Sequence, residues 1–288
     1  MLTETPPSPI LKSASLKPGR DGAVDGAVEV IEGAARTGLL LLCDHASNAL
    51  PEGYGTLGLA EEEFSRHIAY DIGAAEVTRR LAEMMEAPAL LGRYSRLLID
   101  LNRGEDDPTL VMKLSDGAIV PANRLVDPYR DAEEFQNRLT RFHQPYHRAV
   151  AGALEHLSAR GHVPVIISIH SFTPAWRGVQ RPWHTGVLWD RDHRVPDALF
   201  EGFAREGGLT VGDNLPYIGY LKGDTLYRHG TVNGYAHALI EIRQDLIAAR
   251  EGQAEWAARL ARLLTPILER GDIARVQHFG SRSHEARG

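Results

Sequence analysis

Short apolar runs that end in polar residues recur along the 288-residue chain. The run Leu39–Cys43 is continuous, which is typical of a strand buried on both faces, although four leucines alone fit a helix equally well. The runs at 163–169, 187–189 and 238–242 are of the same kind, and residues 96–102 alternate as they would in a further strand. The pattern therefore predicts strands in these five places.

Apolar residues recur at helical spacing between the predicted strands. One apolar face runs over 64–85 and stops before Pro88, and a longer one runs over 131–160 with Pro145 as a kink. A final amphipathic helix is predicted over 256–268. Strands that alternate with long helices predict an α/β fold, in which an open, mixed and mostly parallel sheet is flanked by helices.

The chain divides into three parts by composition. Residues 1–36 contain three prolines between positions 6 and 9 and several glycines, so we expect a loosely ordered leader there. Residues 37–278 are predicted to form a single domain, because no repeat or low-complexity block interrupts them. The last ten residues, 279–288, are expected to be a frayed C-terminal tail.

Composition and charge exclude several classes of protein. A hydrophobic content of 43% with 24% charged residues is typical of a packed globular domain and too apolar for a disordered chain. The net charge of −6, without a run of Lys or Arg, argues against a nucleic-acid partner. The single cysteine, Cys43, excludes an intrachain disulfide and a thiolate metal cluster. No signal-peptide pattern and no apolar stretch of about 20 residues is present, so we expect a cytoplasmic protein without a membrane partner.

Two histidines and an asparagine–arginine pair stand at the ends of predicted strands. His45 follows the first strand, Asn102 and Arg103 follow the second, and His170 follows the third. Ligand sites of such sheets lie beyond the carboxyl ends of the strands, so these side chains are expected to meet there. Imidazole is a common ligand of catalytic zinc, which takes about three protein ligands and keeps an open position.

Two carboxylates could complete such a site. Asp71 lies in the predicted helix after the His45 loop, and Glu241 lies inside an apolar strand, where a carboxylate is costly unless it is paired or functional. The alternatives are structural: Glu241 would form a buried ion pair with Arg243, and Asp71 would be a helix-surface or capping acid. The Asn102–Arg103 pair has the same kind of alternative, as a cap and a salt bridge.

Five sequence segments in order resemble the N-formylglutamate amidohydrolase (N-formylglutamate deformylase) family, whose distant relatives are zinc carboxypeptidases and aspartoacylases. The similarity runs from about residue 40 to 247 and implies a zinc carboxypeptidase-like (phosphorylase/hydrolase-like) fold. The segments are Asp44–Asn48, His67–Ala74, Ser95–Arg96 with Asp100–Arg103, Ser168–Phe172 and His237–Arg243.

The resemblance implies a metal site. His45 and His170 match the two zinc-binding histidines of those relatives. The relatives take their third ligand from a glutamate three residues after the first histidine, and this position is Asn48 here. Because an amide is a poor zinc ligand, we expect Asp71 to be the third ligand. In the alternative interpretation, Asn48 only forms hydrogen bonds to the metal ligands.

The resemblance also implies catalytic and substrate-binding roles. Glu241 matches the glutamate that acts as general base, and Arg96 matches the arginine that polarises the scissile carbonyl. Asn102 and Arg103 match the pair that holds the substrate carboxylate. The expected activity is zinc-dependent removal of an N-formyl or other small N-acyl group from an acidic amino acid such as N-formylglutamate, in amino-acid metabolism.

Three other functions stay open at this point. The same fold and metal would serve another N-acyl or N-formimino amino acid or a peptide terminus, since a pocket discriminates one methylene by only about 1–3 kcal/mol. A degraded metal site, suggested by Asn48, would leave a metal-free carboxylate-binding module. A serine hydrolase that uses Ser47 or Ser171 is disfavoured, because the chain has no Gly-x-Ser-x-Gly motif.

Some further residues are conspicuous. His67 stands four residues before Asp71 and is a possible hydrogen-bonding partner for it. The histidines at 143, 147 and 156 lie on one predicted helix, where we expect solvated or partly buried imidazoles. The loop Tyr227–Gly230 is a possible lid over the substrate.

Overall fold

An eight-stranded sheet forms the centre of the fold in the computed structural model, which describes residues 23–24, 26–34 and 36–283. Twelve strands lie in this described part of the chain, of which β5 with β6 and β8 with β9 form two separate hairpins. The strands are β1 (Ala23–Val24), β2 (Val28–Ile31), β3 (Leu39–Cys43), β4 (Ala89–Gly92), β5 (Leu114–Ser115), β6 (Ala118–Ile119), β7 (Val165–Phe172), β8 (Ala175–Trp176), β9 (Val179–Gln180), β10 (Thr185–Leu188), β11 (Val211–Asp213) and β12 (Ala236–Arg243).

The central strands of this sheet are parallel. Its order is β1-β2-β4-β3-β7-β12-β10-β11, and the neighbours β4, β3, β7 and β12 all run in one direction. The strands β2 and β10 are antiparallel to β4 and β12 respectively, whereas β11 is parallel to β10. The predicted fold class, an open mixed and mostly parallel sheet flanked by helices, is confirmed. The carboxyl ends of β3, β7 and β12 therefore lie side by side.

Helices cover both faces of the sheet. They are α1 (Ala74–Met85), α2 (Ala132–Arg138), α3 (Gln144–Ala159), α4 (Arg194–Glu206) and α5 (Arg250–Leu268). Leu39 and Leu41 of β3 pack in the core that contains α1, α4 and α5, while Leu40 and Leu42 pack in the core that contains α3. Successive side chains of a strand point to opposite faces, so the four leucines form a strand buried on both sides.

Residues 96–102 do not form the predicted strand. They follow a tight turn in which Leu98 N donates to Ser95 O and Asp100 N donates to Leu110 O. Leu97 and Leu98 are both fully buried, so the alternation reflects a buried loop rather than one face of a strand. The neighbouring strand is the short β4 instead.

The predicted helix over 64–85 begins only at Ala74. A short 3₁₀ turn at Glu61–Ser65 precedes it, and residues 66–73 are irregular. Gly73 has φ of +80°, and a Cβ there would lie 2.2 Å from the carbonyl oxygen of Ile247. This left-handed turn separates Asp71 from α1, so the prediction that Asp71 lies on the helix was wrong.

The predicted helix over 131–160 is divided into two. A π-helical turn, Leu139–His143, separates α2 from α3. Pro145 then stands in the first turn of α3, where a missing N–H is tolerated, rather than at a kink in the middle of a helix.

Parts of the predicted leader and tail are built into the fold. Residues 28–31 form β2, which pairs with β4, and Val28 is fully buried, so this part of the leader is not loosely ordered. Residues 279–283 are held as well, since Arg282 N donates to Asp190 Oδ1 at 2.7 Å. The rest of both predictions, at 1–22, 25, 35 and 284–288, lies outside the described residues. None of the described helices is long and apolar enough to cross a bilayer.

Candidate active site

His45, Asp71 and His170 converge at the carboxyl edge of the sheet. His45 follows β3, His170 lies near the end of β7, and Asp71 lies on the segment between His45 and α1, where its N–H donates to His45 O at 2.9 Å. Asp71 Oδ2 lies 3.3 Å from His45 Nδ1 and 2.8 Å from His170 Nδ1. Each of the three residues is only 2% exposed. The three predicted metal ligands are thus brought together as a group that could hold a metal ion.

Two further carboxylates fix the orientation of the imidazoles. His45 Nε2 lies 2.7 Å from Asp100 Oδ1, and His170 Nε2 lies 2.9 Å from Asp44 Oδ2. A carboxylate accepts a hydrogen bond, so each Nε2 donates to its carboxylate and Nδ1 of each ring faces Asp71. A cation among Asp71 Oδ2 and the two Nδ1 atoms, either a metal ion or a proton, would compensate the charge of the buried carboxylate. Metal-bound histidines commonly donate their other N–H to a carboxylate, so this donor set fits a divalent metal ion.

The electrostatics of this group also favour a cation. Burial alone would lower the pKa of His170, but hydrogen bonds and charges from Asp44 and Asp71 raise it to about 10. Burial would likewise raise the pKa of Asp71, but His45 and His170 hold it well below its usual range. The field that favours a protonated imidazole at this point would equally attract a divalent cation.

Asn48 lies outside this group. Its side chain is exposed, and its Nδ2 donates to Phe64 O at 2.8 Å. The alternative in which Asn48 is a hydrogen-bonding neighbour of the metal ligands therefore has no support from its contacts.

Glu241 stands beside the histidine pair. It lies on β12 directly opposite His170 of β7, and its side chain is buried. Arg243 pairs with Asp245 rather than with Glu241, so the alternative of a buried Glu241–Arg243 ion pair was wrong. Burial and the charge of Asp71 raise the pKa of Glu241 to about 7, although His170 opposes the shift. Its Oε2 has no hydrogen-bond partner among the described residues.

Two arginines flank the group. The guanidinium of Arg96 donates to Asp100 Oδ2 at 3.0 Å and lies 3.5 Å from Asp71 Oδ1, while its buried Nε has no partner in the described part of the chain. The guanidinium of Arg103 donates to Asn102 O and to Thr109 Oγ1. No described carboxylate pairs with Arg103, so the alternative of a salt-bridging role for it was wrong.

These side chains line one open cavity of about 790 Å³. Its wall also includes apolar and aromatic residues such as Trp176, Tyr217 and Leu221. Asn102 lies in the same wall, with its Oδ1 accepting a hydrogen bond from Thr225 N. All seven residues predicted from the sequence line the cavity, namely His45, Asp71, Arg96, Asn102, Arg103, His170 and Glu241.

Sequence reasoning assigned no role to Asp44 and Asp100. Both stand within the segments that carry the family resemblance, Asp44 directly before His45 and Asp100 two residues before Asn102. His67 Nδ1 lies 3.5 Å from Asp71 Oδ1, but neither atom has a hydrogen-bond partner among the described residues, so the expected hydrogen bond is not formed. Burial lowers the pKa of His67 to about 4, so this imidazole is neutral.

The two serines of the disfavoured alternative lack a catalytic base. Ser171 Oγ donates to Ile72 O, and Ser47 Oγ accepts from Ala49 N. Neither hydroxyl is hydrogen-bonded to an imidazole within the described residues. A serine nucleophile needs a base within hydrogen-bond reach, so this geometry does not support a serine hydrolase.

Comparisons with known proteins were made for the whole chain. The family model for N-formylglutamate amidohydrolase matches residues 37–248. The crystal structure of gene product Atu2144 from Agrobacterium tumefaciens is 38% identical, with a TM-score of 0.78, and the match covers 84% of this chain and 94% of that one. The N-formylglutamate amidohydrolase from Ralstonia eutropha JMP134 shares the fold at 22% identity and a TM-score of 0.61, with 84% and 97% of the two chains covered. A search of curated proteins found no match.

Proposed function

Because the chain belongs to the N-formylglutamate amidohydrolase family and is therefore a hydrolase of amide bonds, we propose that it removes the N-formyl group from an acidic amino acid such as N-formylglutamate in a metal-dependent reaction. The observation that carries this proposal is the convergence of His45, Asp71 and His170 beside Glu241 in one cavity. The products would be formate and the free amino acid.

The residues that would hold the metal are His45 and His170, each through Nδ1, and Asp71 through its carboxylate. Two imidazoles and one carboxylate form a ligand set that suits zinc. When bound, zinc supplies a Lewis acid that polarises the amide carbonyl and lowers the pKa of a bound water.

Glu241 is the proposed general base. A pKa of about 7 allows it to be ionised in a useful fraction at neutral pH and also to return the proton. It would accept a proton from the attacking water and deliver it to the amide nitrogen as the C–N bond breaks. The unpartnered Oε2 is available for both transfers.

The arginines are proposed to bind the substrate. The buried Nε of Arg96 has a hydrogen to donate, and the negative charge that develops on the carbonyl oxygen would accept it. The guanidinium of Arg103 can hold a carboxylate through two parallel hydrogen bonds, which fixes the position of the amino acid in the cavity. We propose that Asn102 supports this contact, since it precedes Arg103 and anchors the loop to Thr225.

The test is the variant Glu241→Gln, assayed with N-formyl-L-glutamate. We expect turnover to fall by at least about 10²- to 10⁴-fold, because the amide cannot accept a proton from water. The metal content of the purified protein, measured by elemental analysis, should stay at about one equivalent. The variant Asp245→Asn is a matched control, because Asp245 lies four residues away, is partly exposed and pairs with Arg243. Full activity in the glutamine variant would disprove the role of Glu241.

A second candidate substrate class is supported by the size of the cavity. A volume of about 790 Å³ leaves room for an N-acyl group larger than formyl. Turnover of N-formyl-, N-acetyl- and N-formimino-L-glutamate would separate these substrates. The alternative of a metal-free binding module would instead require purified, metal-supplemented protein to contain no metal.

A further inference from the structure

Arg181 contacts residues that line the cavity and has no acidic partner in the part of the chain that the structure describes. Its Nη1 donates to Thr173 Oγ1 at 3.0 Å and to Tyr217 OH at 3.2 Å, and the guanidinium lies 5.1 Å from the centroid of the Tyr217 ring. Thr173 and Tyr217 both line the cavity, and so does Trp176, whose ring lies 6.0 Å from the guanidinium. Within the described residues, Arg181 forms no ion pair.

Two of the three arginines that line the cavity differ from Arg181 in this respect. Arg96 is paired with Asp100, and Arg66 is paired with Glu63 and Asp116. Only Arg103, among the arginines that line the cavity, also lacks a described acidic partner. A guanidinium keeps its charge at any relevant pH, so each unpaired arginine is a site for an anion.

Arg103 and Arg181 are attached to different strands around the candidate metal site. Asp100, which is bonded to His45, accepts a hydrogen bond from the N–H of Asn102, the residue before Arg103. Arg181 is held instead to the ends of β7 and β12, because it bonds to Thr173 just beyond β7 and its carbonyl accepts from Arg243 of β12.

The contacts of Arg181 lie a short way along the strands from the candidate catalytic residues, and two of its partners, Thr173 and Tyr217, line the cavity. Arg243 is two residues beyond Glu241, and Thr173 is three residues beyond His170. A strand advances about 3.3 Å per residue, so these contacts lie roughly 7–10 Å along the strands from the proposed base and metal ligand.

From this geometry we propose that Arg181 binds a second carboxylate of the substrate, so that Arg103 and Arg181 together select N-acyl derivatives of dicarboxylic amino acids over those of monocarboxylic ones. The inference rests on the proposed function and adds a specificity-determining residue to it. Tyr217 and Thr173 hold the guanidinium in place, which reduces the entropy that is lost when the carboxylate binds.

The test compares two substrates that differ only in charge, N-formyl-L-glutamate and N-formyl-L-glutamine. In Arg181→Gln we expect kcat/KM for the glutamate substrate to fall about 10- to 100-fold, mainly through KM, and that for the glutamine substrate to change little. Arg181→Lys, which keeps the charge, should recover part of the loss. Arg66→Gln is the matched control, because Arg66 lines the same cavity but is already paired.

Binding of glutarate and of its monoamide, measured by calorimetry, tests Arg181 without any turnover. Tighter binding of glutarate to the wild-type protein, lost in Arg181→Gln and kept in Arg66→Gln, would support the proposal. Equal losses for both probes or both substrates, or no preference for glutarate in the wild type, would overturn it. If the wild-type protein hydrolyses neither formyl compound, the proposed function fails, and the glutarate comparison still decides the role of Arg181.

Discussion

The chemistry of the site depends on which nitrogen of each histidine is available. Asp100 and Asp44 occupy Nε2 of His45 and His170, and this leaves Nδ1 of both rings to face Asp71. Without those two carboxylates each ring could take the other tautomer or rotate. The buried acids around the histidines would therefore help to determine how tightly the proposed site binds a metal ion.

Asp224 gives a prediction for the effect of pH on stability. This buried residue lines the cavity and accepts a hydrogen bond from Tyr227 N at 2.7 Å, and burial raises its pKa from 3.8 to about 7. The folded state thus holds the proton more tightly than the unfolded state, so the free energy of unfolding falls as pH rises from about 4 to 7. Asp224→Asn removes this titration.

The variant Asp224→Asn should therefore gain stability relative to the wild type between pH 5 and pH 8, by about 3 kcal/mol. An asparagine oxygen can still accept from Tyr227 N, so the fold has no reason to change. Urea denaturation of both metal-saturated proteins at the two pH values measures the difference. A difference that does not change with pH would contradict the raised pKa.

The sequence predicted which candidate site residues come together better than it predicted the residues that surround them. His45, His170 and Glu241 stand out because each is polar at the end of, or inside, an apolar strand. The roles of Asp44 and Asp100 depend on contacts with residues 126 and 55 positions away, which only the packing of strands and loops creates. Such contacts cannot be predicted from the spacing of neighbouring residues in the sequence.

At the scale of elements, continuous apolar runs predicted the central strands β3, β7 and β12 well. Tertiary packing decided the remaining elements. The four residues of β4 are too few to show the alternation of apolar and polar residues that marks a strand. The buried loop at 96–102 shows this alternation without being a strand. The start of α1 is set by the left-handed Gly73 beside Ile247 O, a contact between segments that are distant in sequence.

Two histidines contact the backbone of the loop that carries Arg103. His143 ends the π-helical turn before α3, and His147 lies in the first turns of α3. His143 Nε2 lies 2.9 Å from Arg103 O, and His147 Nε2 lies 3.1 Å from Leu101 O. Both imidazoles are buried, contrary to the expectation of solvated or partly buried rings, and burial lowers their pKa values. Neutral rings can donate from Nε2, so they position the backbone on either side of Asn102.

Replacing His143 with phenylalanine should raise KM about five- to tenfold with little change in kcat, because Arg103 O loses its donor and the loop shifts. His143→Gln places an amide N–H near the position of Nε2 and should restore most of the affinity. Steady-state kinetics with N-formyl-L-glutamate measures both variants. A role confined to packing would make the two variants equally impaired or move kcat and KM together.

At the scale of the molecule, the site concentrates negative charge inside the protein. Asp44, Asp71, Asp100 and Glu241 are all buried near one another, and the largely covered guanidinium of Arg96 is paired with Asp100. Buried carboxylates are costly without compensation, so a bound divalent cation would stabilise the folded protein as well as the transition state. The sheet places these acids on different strands and loops, and the site therefore forms only when the fold forms.

Arg282, near the C-terminus, packs against residues next to the cavity. Arg282 Nη2 donates to Trp189 O at 2.6 Å, and its guanidinium lies 4.8 Å from the Trp189 ring and 4.4 Å from the Tyr220 ring. Gly219 and Leu221, the neighbours of Tyr220, line the cavity. Residues 279–283, the described part of the predicted frayed tail, thus support one wall of the site.

Deleting residues 279–288 should lower the free energy of unfolding by about 3 kcal/mol, because the buried Asp190 and the Trp189 carbonyl lose their donors. KM for the substrate should rise as well, since the wall beside Tyr220 loses its support. Arg282→Ala should reproduce a large part of both effects, whereas Arg205→Ala, at a largely exposed position of α4, should change neither. Denaturation curves and KM measured on the same preparations decide the matter. If stability falls while KM is unchanged, the segment stabilises the fold without shaping the cavity.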